Sequence, residues 1–107
     1  MRDNFINSKL SNNFSATHIN LSNYNVNTSQ YTCPNNGIIS ISGAVAPQQW
    51  SGVQLYVNDT IVWSINAGGY STAFSSDGIV RVNKGDKVYY SLTNNAGVNR
   101  IVFIQTS

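Results

Sequence analysis

Apolar and polar residues alternate along much of this chain, as they do in strands that have one face toward water. In residues 37–46, Ile39 and Ile41 alternate with Ser40 and Ser42. A period of two places successive side chains on opposite faces of a strand. No stretch sustains the helical period of 3.6 residues. The pattern therefore predicts an all-β protein.

Further strand patterns follow, with turn residues between them. They cover residues 53–57, 61–65, 79–82, 87–92 and 100–106, with one or two short strands in 18–32 and a short strand or bulged edge at 72–78. Asn58 and Asp59 predict a tight hairpin turn, because both residue types tolerate a left-handed backbone. Gly85 marks a turn in "NKGD", residues 83–86. About eight antiparallel strands in this spacing predict a β-sandwich or jelly roll.

The length of 107 residues favours a single domain. Residues 1–16 are polar and aperiodic, so we interpret them as an N-terminal arm or linker, followed by a head domain over residues 17–107. The chain starts without the apolar segment of a signal peptide, which predicts synthesis in the cytoplasm. No apolar run approaches the length of a membrane-spanning helix, so membrane insertion is not expected.

Three of the strand patterns, in residues 61–65, 87–92 and 100–105, carry apolar residues at consecutive positions. Consecutive residues point to opposite faces, so one apolar face fills the core and the other is exposed in a monomer. This favours self-association, with Tyr89, Val102 and Ile104 as candidate interface residues. The alternative is a few aromatic side chains tolerated at the surface. The pattern leaves open which face belongs to the core.

Charged residues make up only 9% of the chain, where about 25% is typical. The polarity comes instead from 16 Asn, 5 Gln, 14 Ser and 7 Thr. The net charge of +2 is not clustered, so nucleic acid is not an expected partner. A surface of neutral amides and hydroxyls suits sugars or an exterior environment.

Groups able to carry out catalysis are few and scattered. His18 has no nearby partner for a metal site, and Cys33 is interpreted as a small buried apolar residue. Asp59, Asp77 and Asp86 fall in predicted turns, where Asp commonly accepts backbone hydrogen bonds. The sequence thus predicts no catalytic site, no cofactor and no metal, and the charges of "NKGD" are interpreted as scaffold.

Four stretches in order, "YTCPNNGIISISG", "VQLYVNDTIV", "VRVNKGDKVYYSL" and "RIVFI", give the chain a likeness to a known family. The shared elements are a Tyr–Thr–x–Pro–x–x–Gly start to a Ser/Ile strand, a Val–Asn–Asp hairpin, and Val–x–Lys–Gly–Asp–x–Val. Together they resemble the C-terminal head domains of bacteriophage tail fibres and related receptor-binding proteins. These heads share the jelly roll of the tumour-necrosis-factor and complement globular-head superfamily.

The resemblance implies a homotrimer, in which protomers pack apolar outer faces around a three-fold axis. It implies attachment to a host cell-surface ligand, often carbohydrate, and a place in the virion. Residues 1–16 would then connect the head to other virion tail proteins. A structural trimerisation or decoration module with no host ligand is the alternative, and a cellular β-sandwich lectin is a third class.

Ligand residues in such heads lie on loops, so the loops supply the candidates. Aromatic side chains offer an apolar face to a sugar ring, and amides hydrogen-bond its hydroxyls. The candidate ligand-binding residues are Gln48, Gln49, Trp50, Tyr70, Asn94, Asn95 and Asn99. The alternative for Trp50 is a side chain folded back as a lid on the core.

Overall fold

The computed structural model describes residues 18–69 and 72–106, which form two four-stranded antiparallel sheets. The strands are β1 (His18–Asn20), β2 (Tyr31–Thr32), β3 (Gly37–Val45), β4 (Gly52–Val57), β5 (Thr60–Asn66), β6 (Phe74–Val82), β7 (Lys87–Thr93) and β8 (Gly97–Gln105). Sheet A has the order β1-β8-β3-β6, and sheet B has the order β2-β7-β4-β5. None of the described residues is helical. The predicted all-β sandwich of eight strands is confirmed.

The core lies between the two sheets, where alternate residues of the strands point inward. Ile39 and Ile41 of β3 are fully buried, as the alternation with serine predicts. Each such side chain contributes about 1.5–3 kcal/mol when it leaves water. The other large side chains that are almost wholly buried are Leu21, Cys33, Val53, Leu55, Val88, Ile101 and Phe103. The predicted burial of Cys33 is therefore confirmed.

The indole of Trp63 fills the space between the sheets at one side of the sandwich. It projects from β5 of sheet B toward two glycines of sheet A, Gly43 on β3 and Gly78 on β6. A Cβ atom on Gly43 would lie 3.4 Å from the Trp63 ring, and one on Gly78 would overlap the indole nitrogen. The lack of a side chain at Gly78 therefore allows the sheets to approach across a bulky aromatic ring, whereas the ring's distance to Gly43 is an ordinary contact.

The prediction of a turn around Asp77 was wrong. Residues 72–78 and 79–82 were expected as separate segments, but β6 runs unbroken from Phe74 to Val82. Asp77 lies opposite Ser42 within the ladder of β3 and β6. Glycine after Asp resembled a turn signal, whereas Gly78 is a strand residue kept small by its contact with Trp63.

The start of the last strand was also predicted too late. It was placed at Arg100, but β8 begins at Gly97. Asn99, a candidate ligand-binding residue of a loop, therefore lies within a strand. The register of β8 against β3 shifts here, from Arg100 opposite Ser42 to Val98 opposite Gly43, so Asn99 is the extra residue of a β-bulge. The bulge breaks the alternation that would have revealed the strand.

The turn between β4 and β5 and the turn between β6 and β7 match the predictions. Asn58 and Asp59 both have positive φ, at 51° and 66°, in the two-residue turn between β4 and β5. Gly85 has a φ of 91°, and the Asp86 carboxylate accepts a hydrogen bond from the Asn83 backbone N–H at 2.8 Å. The "NKGD" turn is thus closed by its own acidic side chain, as a scaffold turn would be.

Two sequence-based predictions lie outside the described residues. They are the N-terminal arm over residues 1–16 and the ligand-binding role of Tyr70. The predicted domain start at residue 17 adjoins β1, whose first residue is His18.

Candidate functional site

Three connecting loops meet at one end of the sandwich, and they carry most of the candidate ligand-binding residues. The described parts of these loops are residues 46–51 between β3 and β4, residues 67–69 and 72–73 between β5 and β6, and residues 94–96 between β7 and β8. Antiparallel pairing sets this arrangement, because Val45 lies opposite Phe74 and Gly52 lies opposite both Asn66 and Thr93. We call this end of the molecule the loop end.

Side-chain amides connect the three loops. The Asn94 amide donates to the Gln49 carbonyl at 3.0 Å, and the Asn95 amide donates to Gln48 Oε1 at 2.8 Å. The Gln49 amide donates to the Gly69 carbonyl at 3.0 Å. The structure thus brings Gln48, Gln49, Asn94 and Asn95 together, and part of their hydrogen-bonding capacity holds the loops in place.

Trp50 is an exposed aromatic residue of the loop end. Its side chain is 58% exposed, so the structure does not support the alternative in which it covers the core. Its φ is 63°, a left-handed conformation that is unusual for a bulky residue and is found where the surroundings enforce it. The Trp50 backbone N–H donates to the Gly68 carbonyl at 2.7 Å, which ties this conformation to the neighbouring loop.

Two further residues build the loop end, and the sequence-based candidates did not include them. Ser51 is fully buried, and its hydroxyl accepts a hydrogen bond from the Ala46 backbone N–H at 2.8 Å. Its carbonyl accepts from the Ala67 N–H at 2.8 Å. Gly68 has a φ of 64°, which the Gly–Gly pair in the sequence could have indicated. Nothing in the sequence singles out Ser51, because its partners come from the fold.

No charged side chain lies in residues 46–51, 66–69 or 93–96. The polar groups of the loop end are amides, hydroxyls and backbone carbonyls, next to one indole ring. Such groups both donate to and accept from hydroxyls without requiring a counter-charge. The loop end therefore suits a neutral, hydroxyl-rich ligand with an apolar face.

The candidate interface residues lie on opposite faces of the sandwich. By strand register, Val102 and Ile104 share the outer face of sheet A with Ile38 and Ile79, and Ile79 is 71% exposed. Tyr89 lies on the outer face of sheet B, where its ring stacks on that of Tyr56. The three candidates therefore do not form a single patch.

Burial is the main cause of the raised pKa values of two side chains in the core, Cys33 and Tyr31. It raises the pKa of the Cys33 thiol to about 11, with a smaller contribution from the Asp86 carboxylate. Burial also raises the pKa of Tyr31, with the neighbouring Cys33 and Tyr24 adding to it. Both groups are therefore protonated at neutral pH.

Within residues 18–69 and 72–106, no three His, Cys, Asp or Glu side chains are close enough to hold a metal ion. The same residues contain no helix long and apolar enough to span a membrane. No protein-family model matches the chain, and no curated protein matches it either.

Proposed function

We propose that this protein is a receptor-binding head of the bacteriophage tail-fibre type, which attaches to a host cell-surface carbohydrate through its loop end. The observation that carries the proposal is the exposed indole of Trp50, presented among amide side chains by loops bonded to one another. A rigid sandwich with ligand groups on its connecting loops is a common arrangement for recognition. The lack of charge in these loops favours a neutral sugar.

The order of pairing supports a jelly roll. β1 pairs with β8, β2 with β7, β3 with β6, and β4 with β5. This nested pairing is what results when one long hairpin is rolled up into two sheets, and eight strands in two Greek keys define the jelly roll. It agrees with the fold that the sequence resemblance implies.

A homotrimer is proposed on the basis of the outer face of sheet A. Ile38, Ile79, Val102 and Ile104 share that face by register with Ser40, Asp77, Arg81 and Arg100, and β6, which carries Ile79, is an edge strand. Symmetric oligomers bury the same patches on every protomer. The same face also favours the second candidate function, a structural trimerisation or decoration module without a host ligand.

The decisive experiment is a binding assay of the purified full chain on a glycan array and on a panel of bacterial cells, with Trp50 variants. We expect Trp50→Ala to lose binding while its Tm stays within a few degrees of the native value, because the side chain is exposed. Trp50→Tyr is the matched control, since it keeps an aromatic face and should retain part of the binding.

Two results would contradict the proposed role of Trp50. One is native-like binding by Trp50→Ala, and the other is a large drop in its Tm, which would give the indole a structural role. If the native chain bound neither glycans nor cells and yet formed trimers, the structural module would be the better description.

A further inference from the structure

A second aromatic feature lies on the outer face of sheet B, away from the loop end. The rings of Tyr56 on β4 and Tyr89 on β7 are parallel, with an interplanar angle of 6° and centroids 4.6 Å apart. In sheet B, β7 has β4 on one side and β2 on the other. Tyr56 therefore covers one face of the Tyr89 ring, and the opposite face is directed toward β2 and the segment before it.

An open cleft of about 250 Å³ lies on that uncovered side of Tyr89. Tyr89 and the segment preceding β2 form its walls, and we call it the Tyr89 cleft. Its lining residues are Asn25, Val26, Thr28, Ser29, Gln30 and Tyr89. Every lining group is neutral, and the wall opposite the ring is rich in amides and hydroxyls.

The wall opposite Tyr89 is held in place by the backbone. The Asn25 N–H donates to Thr28 Oγ1 at 3.1 Å, and the Thr28 N–H donates to the Asn25 carbonyl at 3.0 Å. The Val26 N–H donates to the Tyr90 carbonyl at 2.8 Å, which anchors this wall to β7. The cleft is thus preformed, and binding would not need to order a loop, a cost that weakens many ligand sites.

Tyr89 is also fixed in orientation. Its hydroxyl donates to Asp59 Oδ1 at 3.3 Å, from the turn between β4 and β5. Desolvation and this hydrogen bond raise the pKa of Tyr89, so its ring stays neutral at physiological pH. The ring therefore presents an uncharged aromatic face to the cleft.

We infer that the Tyr89 cleft binds a single neutral sugar ring, with an apolar face of the sugar on Tyr89 and its hydroxyls on Ser29, Gln30 and Asn25. Ser29 and Gln30 are exposed, so their hydroxyl and amide groups are available to a ligand. The volume is slightly below the range of roughly 300–1,000 Å³ of drug-sized sites, which suits one ring and not an oligosaccharide.

The surroundings of the cleft favour a sugar over an apolar protein partner. Next to the tyrosine pair, Gln54 accepts hydrogen bonds from Ser91 Oγ at 2.7 Å and from Thr93 Oγ1 at 3.3 Å. This face of sheet B thus continues as a ladder of neutral amides and hydroxyls, unlike the outer face of sheet A, which mixes aliphatic and charged side chains. The cleft is separate from the loop end, so the inference does not depend on the proposed role of Trp50.

The test is an NMR titration of the ¹⁵N-labelled full chain with the methyl glycosides of glucose, galactose, mannose and N-acetylglucosamine, each up to about 10 mM, where a site of millimolar affinity is mostly occupied. We expect at least one of them to shift the amide signals of residues 25–30 and Tyr89. Glucuronate is the matched charged ring, and it should bind more weakly because no cation lines the cleft.

Substitutions in the cleft test whether its side chains bind the sugar. Gln30→Ala, at an exposed position, should weaken binding by about tenfold while leaving the rest of the spectrum unchanged. Tyr89→Phe keeps the ring and should retain binding, whereas Tyr89→Leu should lose it. Trp50→Ala should leave the titration of the Tyr89 cleft unchanged, so failure at the loop end and failure here are distinguishable.

The inference is overturned if none of the four glycosides shifts residues 25–30 at these concentrations. It is also overturned if Tyr89→Leu, shown by its spectrum to be folded, binds as tightly as the native chain.

Discussion

At the scale of single residues, the two sheets can pack closely around Trp63 because glycine faces its ring. Gly78 and Gly43 both face Trp63, and at Gly78 the indole occupies the space that a Cβ atom would need. The Gly78 contact is the tighter of the two, and the atoms involved belong to a rigid ring that cannot bend away. Packed interiors respond to added methyl groups by straining side chains and shifting backbone.

Gly78→Ala should therefore lower the free energy of unfolding by about 1–3 kcal/mol, the usual cost of overpacking. Urea denaturation provides the measurement. Gly69→Ala is the matched control, because a Cβ there has no neighbour within 4 Å, and it should change stability by less than about 0.5 kcal/mol. Equal stabilities of the two variants would contradict the packing role of Gly78.

Cys33 makes stability depend on pH in the alkaline range. In the folded chain its thiol has a pKa of about 11, against an ordinary value of 9.0. Between these values the unfolded chain releases the proton and the folded chain retains it, so the free energy of unfolding should fall as pH rises from 9 to about 11. Burial of Tyr31 acts in the same direction.

Urea midpoints measured across this pH range, under reducing conditions, check the expectation. Cys33→Ala should be less stable at every pH, yet its midpoint should fall less steeply between pH 9 and pH 11. An identical slope in both chains would show that Cys33 does not contribute to the alkaline loss of stability.

At the scale of elements, the strands that were predicted correctly are those whose pattern is set locally. Apolar and polar residues alternate over much of β3 and β4, and the Asn58–Asp59 turn has the residue types that its backbone requires. The boundaries of β6 and β8 were wrong because Gly78 and the bulged Asn99 owe their places to other strands. The alternation of apolar and polar residues along the chain does not show which residues of different strands contact one another.

The candidate site shows the same limit. The residue types of the loops predicted Trp50, Gln48, Gln49, Asn94 and Asn95, but not that their loops would be joined by hydrogen bonds. That joining follows from the pairing of β3 with β6 and of β4 with both β5 and β7, which is long-range. The Tyr89 cleft was not foreseen for the same reason, since its walls are far apart in sequence.

The hairpin of β4 and β5 is tied to the "NKGD" turn through Asn58. The Asn58 amide donates to Asp86 Oδ1 at 3.0 Å, and its side-chain oxygen accepts from the Lys87 N–H at 3.0 Å. Asn58→Ala should cost about 1–3 kcal/mol, because it removes both bonds and leaves a Cβ-bearing residue without the local bonding that helps Asn hold a positive φ. Chemical denaturation measures this loss.

Asn58→Gly distinguishes the loss of the two hydrogen bonds from the strain of a positive φ. Glycine accepts the positive φ without strain, so the remaining loss of stability reports the hydrogen bonds alone. Full stability of both variants would mean that the two turns fold independently of each other.

At the scale of the whole molecule, the two outer faces differ in chemistry. Sheet A presents the aliphatic side chains of Ile38, Ile79, Val102 and Ile104 among charged ones, whereas sheet B presents tyrosines, amides and hydroxyls. Large exposed apolar patches on soluble domains commonly mark contacts between proteins. Self-association through sheet A would leave the Tyr89 cleft and the loop end facing solvent.

Light scattering on the purified chain should give a mass near three times the 11.7 kDa of one chain. Ile79→Lys should shift the chain to monomer, because it replaces the most exposed aliphatic side chain of this face by a charged one. Thr60→Lys, which adds the same charge at the exposed β4–β5 hairpin, is the control and should leave the oligomer intact. A native mass of one chain at micromolar concentration would refute the trimer.

The pairing of β1 with β8 places His18 and Gln105 at the same end of the sandwich. His18 lies opposite Ile104, whereas Gly97, at the start of β8, lies at the loop end. His18 and Gln105 therefore lie close together, at the end of the sandwich remote from Trp50. A carrier attached directly at either residue would hold the domain by this end and leave the loops pointing outward. A short linker could also join Gln105 to His18, so a circularly permuted domain with new ends elsewhere should keep the same presentation.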